Sequence, residues 1–213
     1  MILFCFINYF VYLCHMKEKI LEIYTDASGD NKNGIGILFI NPDETERQFS
    51  YKVNNQIFYN LIKNKHRTNL KLDSIQLEIL AIYVAIKELQ VYSRTFDKII
   101  LYSDNLISID HLNNKKNKKN NNKSRNSVLE MVKIIKNMLI EFNIDVEFRW
   151  IKSHCGVYGN ELADRLARVG ARNKVFYNNE FLNNIQRLLF ETKKVVWRKT
   201  KNEEFETVYL KLV

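Results

Sequence analysis

Cysteine is scarce in this 213-residue chain: only Cys5, Cys14 and Cys155 occur, and the first two lie in an apolar N-terminal segment. One thiol in the body excludes a disulfide-stapled scaffold and fits a reducing, intracellular compartment, cytoplasm or nucleus. Cys155 directly follows His154, but no nucleophile–base pattern accompanies the pair, so the thiol is a bystander in this reading. Long apolar runs are also missing. Ile2 to Leu13 is apolar apart from Asn8, yet too short to span a bilayer. It lacks the positive start and the cleavage site of a secretory signal. A weak membrane anchor or an appended strand remains open for it. A simpler expectation is that translation begins at Met16, because Met16-Lys17-Glu18-Lys19 leads straight into the first strand. No transmembrane span is expected.

Acid is absent from Asn113 to Asn126, which holds five lysines, one arginine and seven asparagines. This segment supplies +6 of the net +9, leaving +3 for the rest of the chain. Such a surplus suggests a polyanionic partner. A polar tract of this kind cannot form a core and should be mobile. The alternative is a low-complexity insertion without a role, in keeping with the chain's Asn, Lys, Ile, Tyr and Phe bias.

Hydrophobic content of 46% predicts one compact domain with appendages. After Met16 the pattern reads strand, strand, strand, helix, strand, helix, helix, strand, helix. Strands are expected near 19–26, 34–40 and 47–53, with turns at Gly29 to Gly34 and Asn41-Pro42-Asp43, giving an antiparallel meander. A long helix follows at about 74–91, a buried strand at 99–103 and a short helix at 105–112. Ser127 can cap a helix striped by Val128, Val132, Ile135, Leu139 and Phe142. Ile144, Val146, Phe148 and Trp150 alternate with charged residues as a half-buried strand. Phe181, Ile185, Leu188, Leu189 and Trp197 suggest an amphipathic helix in a C-terminal extension. The order predicts an α/β fold, a mixed five-stranded sheet with helices on its faces.

Asp26 and Asp104 each end an apolar strand, where carboxylates of neighbouring strands converge. Glu78 lies on a helix apolar nearly all round, and glutamate is rarely buried unless paired or bound to a cation. Near the end of the core, His154 opens a glycine-containing loop ten residues before Asp164. Asn160 is a good N-cap there, with Glu161 in the first turn. Asp164 sits one turn in, among Leu162, Ala163, Leu166 and Ala167. A histidine facing a semi-buried acid suggests proton transfer beside a metal. Oxygen donors without a cysteine–histidine cluster favour magnesium or manganese over zinc.

The run Trp150 to Arg168, WIKSHCGVYGNELADRLAR, resembles the last catalytic block of the type 1 ribonuclease H family, cellular or retroelement. Thr25-Asp26-Ala27-Ser28-Gly29, the helical run about Glu78, and Tyr102-Ser103-Asp104-Asn105 match its other blocks in order, together spanning about Glu18 to Ala171. The resemblance implies a ribonuclease H-like fold over residues 16–171, with 1–15 and 172–213 as appendages and 113–126 as a basic insert. It implies an endoribonuclease that cuts the RNA strand of RNA·DNA hybrids, leaving 5′-phosphate and 3′-hydroxyl ends. Catalysis would use two Mg2+ ions roughly 3.5–4 Å apart, with Mn2+ able to substitute. Asp26, Glu78, Asp104 and Asp164 would hold the metal, and His154 would help deprotonate water or release product. Ser28, Ser74, Gln76 and Asn105, with Lys115, Lys116, Lys118 and Lys119 of the insert, would contact substrate. The family's amide positions three and four residues before the glutamate are here Ile75 and Ser74. A monomer acting on hybrid is expected, without a stable protein partner. The competing readings are a ribonuclease H domain displaced from a retroelement polyprotein and a hybrid-binding protein with a weak site.

Overall fold

Alternation along residues 20–28 decides the first strand. β1 (Ile20–Ser28) sends Leu21 and Ile23 into the main core and Tyr24 into a smaller cluster on the other face, as a period of two requires. β2 (Gly34–Ile40) and β3 (Glu46–Lys52) complete the antiparallel meander, with Ser28 opposite Gly34 and Gly34 opposite Lys52. The computed structural model describes residues 18–29, 32–62, 71–90, 95–115, 123–172, 195–199 and 205–209, the last two segments and 123–125 by backbone only. Met1 to Lys17, including Ile2 to Leu13, therefore lies outside the described residues.

Helices fill both faces. α1 (Asn55–Leu61) is an element the sequence reading missed; the Asn54 side chain caps it by accepting from the Gln56 N–H at 2.9 Å. α2 (Ser74–Gln90) buries 13 of its 17 residues, as its all-round apolarity predicts. β4 (Lys98–Ser103) then runs parallel to β1, with Ser103 opposite Thr25. α3 (Leu106–Leu112), α4 (Lys123–Glu141), β5 (Glu147–Trp150) and α5 (Tyr158–Arg172) follow. β5 is parallel to β4, and the sheet order is β3-β2-β1-β4-β5. The mixed five-stranded sheet flanked by helices is thus the expected fold, with α1 as one helix more than expected. Among the described residues no helix is long and apolar enough to cross a membrane.

α2 and α4 share the larger core with Leu21, Ile23, Ile37 and Phe49. α5 lies on the opposite face, where the Ser50 hydroxyl donates to the Leu166 carbonyl at 2.6 Å. Its seat depends on glycine: a Cβ at Gly36 would run into the backbone of Ala163 and Ala167. That close approach holds the helix carrying Asp164 against the strand beside Asp26.

Four local expectations are corrected. α4 starts at Lys123, inside the basic insert, so Ser127 is not a cap but a buried helical residue. The insert is ordered at both ends: Asn113 closes α3 and donates to the Phe148 carbonyl at 2.9 Å. α5 starts at Tyr158, so Asn160 lies within the first turn, 3% exposed, rather than capping it. Trp197 lies in a strand, β6 (Val195–Lys199), paired antiparallel with β7 (Phe205–Tyr209), not in a helix. Phe181, Ile185, Leu188 and Leu189 lie outside the described residues.

Candidate active site

Parallel pairing of β1 and β4 sets Thr25 against Ser103, so the next residues, Asp26 and Asp104, emerge side by side. The second turn of α2 brings Glu78 to them. Carboxylate oxygens of the three lie within 4.8 Å of one another. The Ala27 N–H donates to Asp26 Oδ1 at 2.7 Å and to Glu78 Oε1 at 3.2 Å, tying strand to helix with one amide. Beside them the Trp150 indole N–H donates to the Asp104 carbonyl at 2.9 Å, fixing the backbone from which that acid projects.

Crowding carboxylates in a dry place is costly, and the protonation equilibria record it. Burial first, then the charge of Asp104, pushes Asp26 up from 3.8 to about 7. Burial and the charges of Asp26 and Asp104 hold Glu78 well above the usual carboxylate range. Glu78 Oε2 is buried without a hydrogen-bond donor. An orphaned buried acceptor within a set of hard oxygens fits a divalent cation such as magnesium or manganese.

Asp164 and His154 stand differently. Asp164 belongs to a second group with His154 and Glu161, whose ligand atoms also lie within 4.8 Å of one another. Its charge still raises the Asp26 pKa, though it is the smallest of the named causes. Both its oxygens are engaged by Arg168, Nε to Oδ1 at 2.9 Å and Nη2 to Oδ2 at 2.7 Å. His154 is exposed, has a left-handed backbone at φ 52°, and places Nδ1 4.0 Å from Glu161 Oε1. Cys155 is exposed, and its thiol donates to the Ser153 carbonyl.

The residues expected to touch substrate divide. Ser28 and Ser74 line one groove together with Asp164. Gln76 does not reach it. The Gln76 N–H donates to Asp73 Oδ1 at 2.8 Å and Gln76 Oε1 accepts from the Asp73 N–H at 3.0 Å, a reciprocal cap of α2. Gln76 Nε2 donates to the Ser127 hydroxyl at 2.7 Å, and the side chain is buried. These bonds give Gln76 a helix-capping and helix-joining role. Asn105 caps α3, its Oδ1 accepting from the Ser108 N–H at 2.9 Å. Lys115 is exposed and 3.8 Å from Asp110, while Lys116, Lys118 and Lys119 lie outside the described residues. The Arg168 fork on Asp164 was missed, although an acid four residues before an arginine on a helix is a readable signal.

No curated protein matches the chain. Among solved structures the fold is similar to RNase H1 from the halophilic archaeon Halobacterium salinarum NRC-1. That likeness has a TM-score of 0.51 at 16% identity and covers 71% of this chain and 96% of that one. It is also similar to LC11-RNase H1, isolated from compost by a metagenomic approach, with a TM-score of 0.54 at 15% identity, covering 71% and 94%. LC11-RNase H1 in complex with RNA/DNA hybrid matches with a TM-score of 0.50 at 14% identity, covering 68% and 94%. The RNase H family model matches residues 18–172, the stretch that holds the whole five-stranded sheet and all four acids, and this chain therefore belongs to the RNase H family.

Proposed function

We propose that this protein is a metal-dependent endoribonuclease that hydrolyses the RNA strand of RNA·DNA hybrids, leaving 5′-phosphate and 3′-hydroxyl ends. The observation that carries this reading is the Asp26–Glu78–Asp104 cluster, three carboxylates with oxygens within 4.8 Å in a chain of the RNase H family. Magnesium or manganese bound there, as two ions, would supply the charge that activates water and stabilises the departing 3′ oxygen.

The chain's own residues prepare that site. Asp26 and Glu78 provide buried oxygens whose mutual repulsion favours exchange of a proton for a cation. Ala27 keeps both carboxylates aimed through its single N–H, and Trp150 holds the Asp104 backbone. Asp164 adds a fourth carboxylate from α5, oriented by Arg168. His154, exposed on its loop 4.0 Å from Glu161, would take a proton from attacking water or assist product departure.

Cleavage of an end-labelled RNA·DNA hybrid tests this, with RNA duplex, DNA duplex and single-stranded RNA as controls, with and without magnesium. Hybrid-specific, magnesium-dependent cutting is expected, lost in Asp26→Asn, Glu78→Gln and Asp104→Asn while hybrid binding survives. Substantial cutting by Asp26→Asn would remove the assigned site. His154→Ala should lower kcat by about 10²–10⁴-fold with a smaller change in KM. Unchanged turnover at saturating magnesium would take His154 out of the mechanism.

A further inference from the structure

The first turn of α5 is held to the sheet at two points. Gly159 lies against the Tyr24 ring, where an added Cβ would clash. Tyr24 stacks in turn on Tyr102, with ring centroids 4.8 Å apart. These tyrosines stand two residues before Asp26 and Asp104, so the contact keys α5 to the strands that lead to the acids. The second point is Tyr158, whose hydroxyl hydrogen-bonds the Glu46 carboxylate at the start of β3. Burial first, then this bond, pushes the Tyr158 phenol up to about 12, so the hydroxyl keeps its proton and donates. Glu46 is only 4% exposed, and its Oε2 also accepts from Gln48 Nε2 at 3.0 Å. A buried carboxylate held this way is a fixed anchor. Tyr158 itself is 54% exposed, so its ring adds little to the core.

The loop just before this anchor is what it serves. His154 stands four residues ahead of Tyr158, on an exposed turn with left-handed backbone. Its Nδ1 faces Glu161, which belongs to the same first turn of α5 as Tyr158. An exposed side chain is aimed only as well as the backbone that carries it. We infer that Tyr158 is a positioning residue, its hydrogen bond to Glu46 fixing the start of α5 so that His154 and Glu161 keep a constant place beside the acids. The inference rests on the proton-transfer role given to His154 above and deepens it. It also divides the labour of the two points: Gly159 sets how close α5 lies to the sheet, and Tyr158 sets how its first turn is rotated.

The test compares the parent chain, Tyr158→Phe, His154→Ala and the double variant on labelled hybrid in magnesium, with thermal unfolding measured alongside. Phenylalanine keeps the ring and removes only the hydroxyl. In Tyr158→Phe kcat should fall about 10-fold, within the roughly 10²-fold that a misplacement of about 1 Å can cost. KM for hybrid should hold, because the hydroxyl faces Glu46 and not the substrate. In the His154→Ala background the same change should cost nothing further, since no histidine is left to misplace. A purely structural Tyr158 gives a different pattern: the loss recurs by the same factor in the His154→Ala background, or only the melting temperature falls. Either result overturns the inference, as does an unchanged kcat in Tyr158→Phe. If the parent does not cut hybrid, or His154→Ala turns over like the parent, the reading beneath has failed, and the inference falls with it.

Discussion

Glu78 and Glu88 sit on the same helix and are equally buried, each 7% exposed, but the fold treats them oppositely. Glu88 receives the Tyr51 hydroxyl at 2.7 Å, a satisfied core carboxylate. Glu78 shares one amide with Asp26 and leaves Oε2 without a donor. Leaving a buried acceptor unpaired costs on the order of 1–3 kcal/mol, so Glu78 marks a place kept for a ligand. Asp26 reports the same strain as a pH dependence. Its folded pKa of about 7 lies above its ordinary 3.8. Between those values the native chain holds a proton that the unfolded chain has released. The contribution of Asp26 to metal-free stability should therefore be greatest below about pH 4, fall as pH rises towards 7, and level off above it. Asp26→Asn should flatten that decline and raise the metal-free melting temperature at pH 8 by about 2–8 °C, if roughly 1–2 kcal/mol of repulsion is relieved. Magnesium should stabilise the parent chain and barely affect the variant. Thermal unfolding in chelator and in magnesium measures both, and a variant that melts below its parent at pH 8 would contradict this account.

Elements, rather than single side chains, set where the acids point, and here Gln76 is informative. Its amide closes the α2 cap with Asp73 and joins α2 to α4 through Ser127. Gln76→Ala and Ser127→Ala should each cost about 1–3 kcal/mol, which is about 2–12 °C of melting temperature for a chain of this size. KM for hybrid should hold in both. A raised KM with an unchanged melting temperature would return Gln76 to the substrate. The sequence Asp73-Ser74-Ile75-Gln76 is a readable capping box, but its place two residues before Glu78 drew attention to chemistry instead. Other elements were plain: the alternation of β1 to β3 and the apolar α2 gave boundaries within a residue or two. α1 escaped because seven residues carry too short a period to register. Asn160 deceived for a different reason. It is a good capping type, yet α5 begins at Tyr158 and buries it, and residue preference cannot report tertiary burial. Three of the four acids met as their strand-end and helix contexts suggested. The Arg168 clasp on Asp164 was legible as an acid four residues before an arginine on a helix, but the same acid was read for chemistry alone.

At the scale of the whole molecule, +6 of the net charge of +9 comes from the Asn/Lys-rich stretch 113–126 between α3 and α4. Helix α4 claims residues from 123 onward and Asn113 anchors to Phe148, so removing all of 113–126 would damage the frame as well as the charge. The clean replacement is 116–122 by a Gly/Ser linker of equal length, in which the only charges removed are those of Lys116, Lys118 and Lys119. If these lysines touch phosphates, hybrid affinity should fall and the salt slope should become shallower by up to about 2.7 for three contacts on a B-like duplex. Cleavage at saturating substrate should persist, because this segment supplies no carboxylate to the site. An unchanged slope on replacing 116–122 would show that these cations only solubilise the surface and take no part in holding a polyanion.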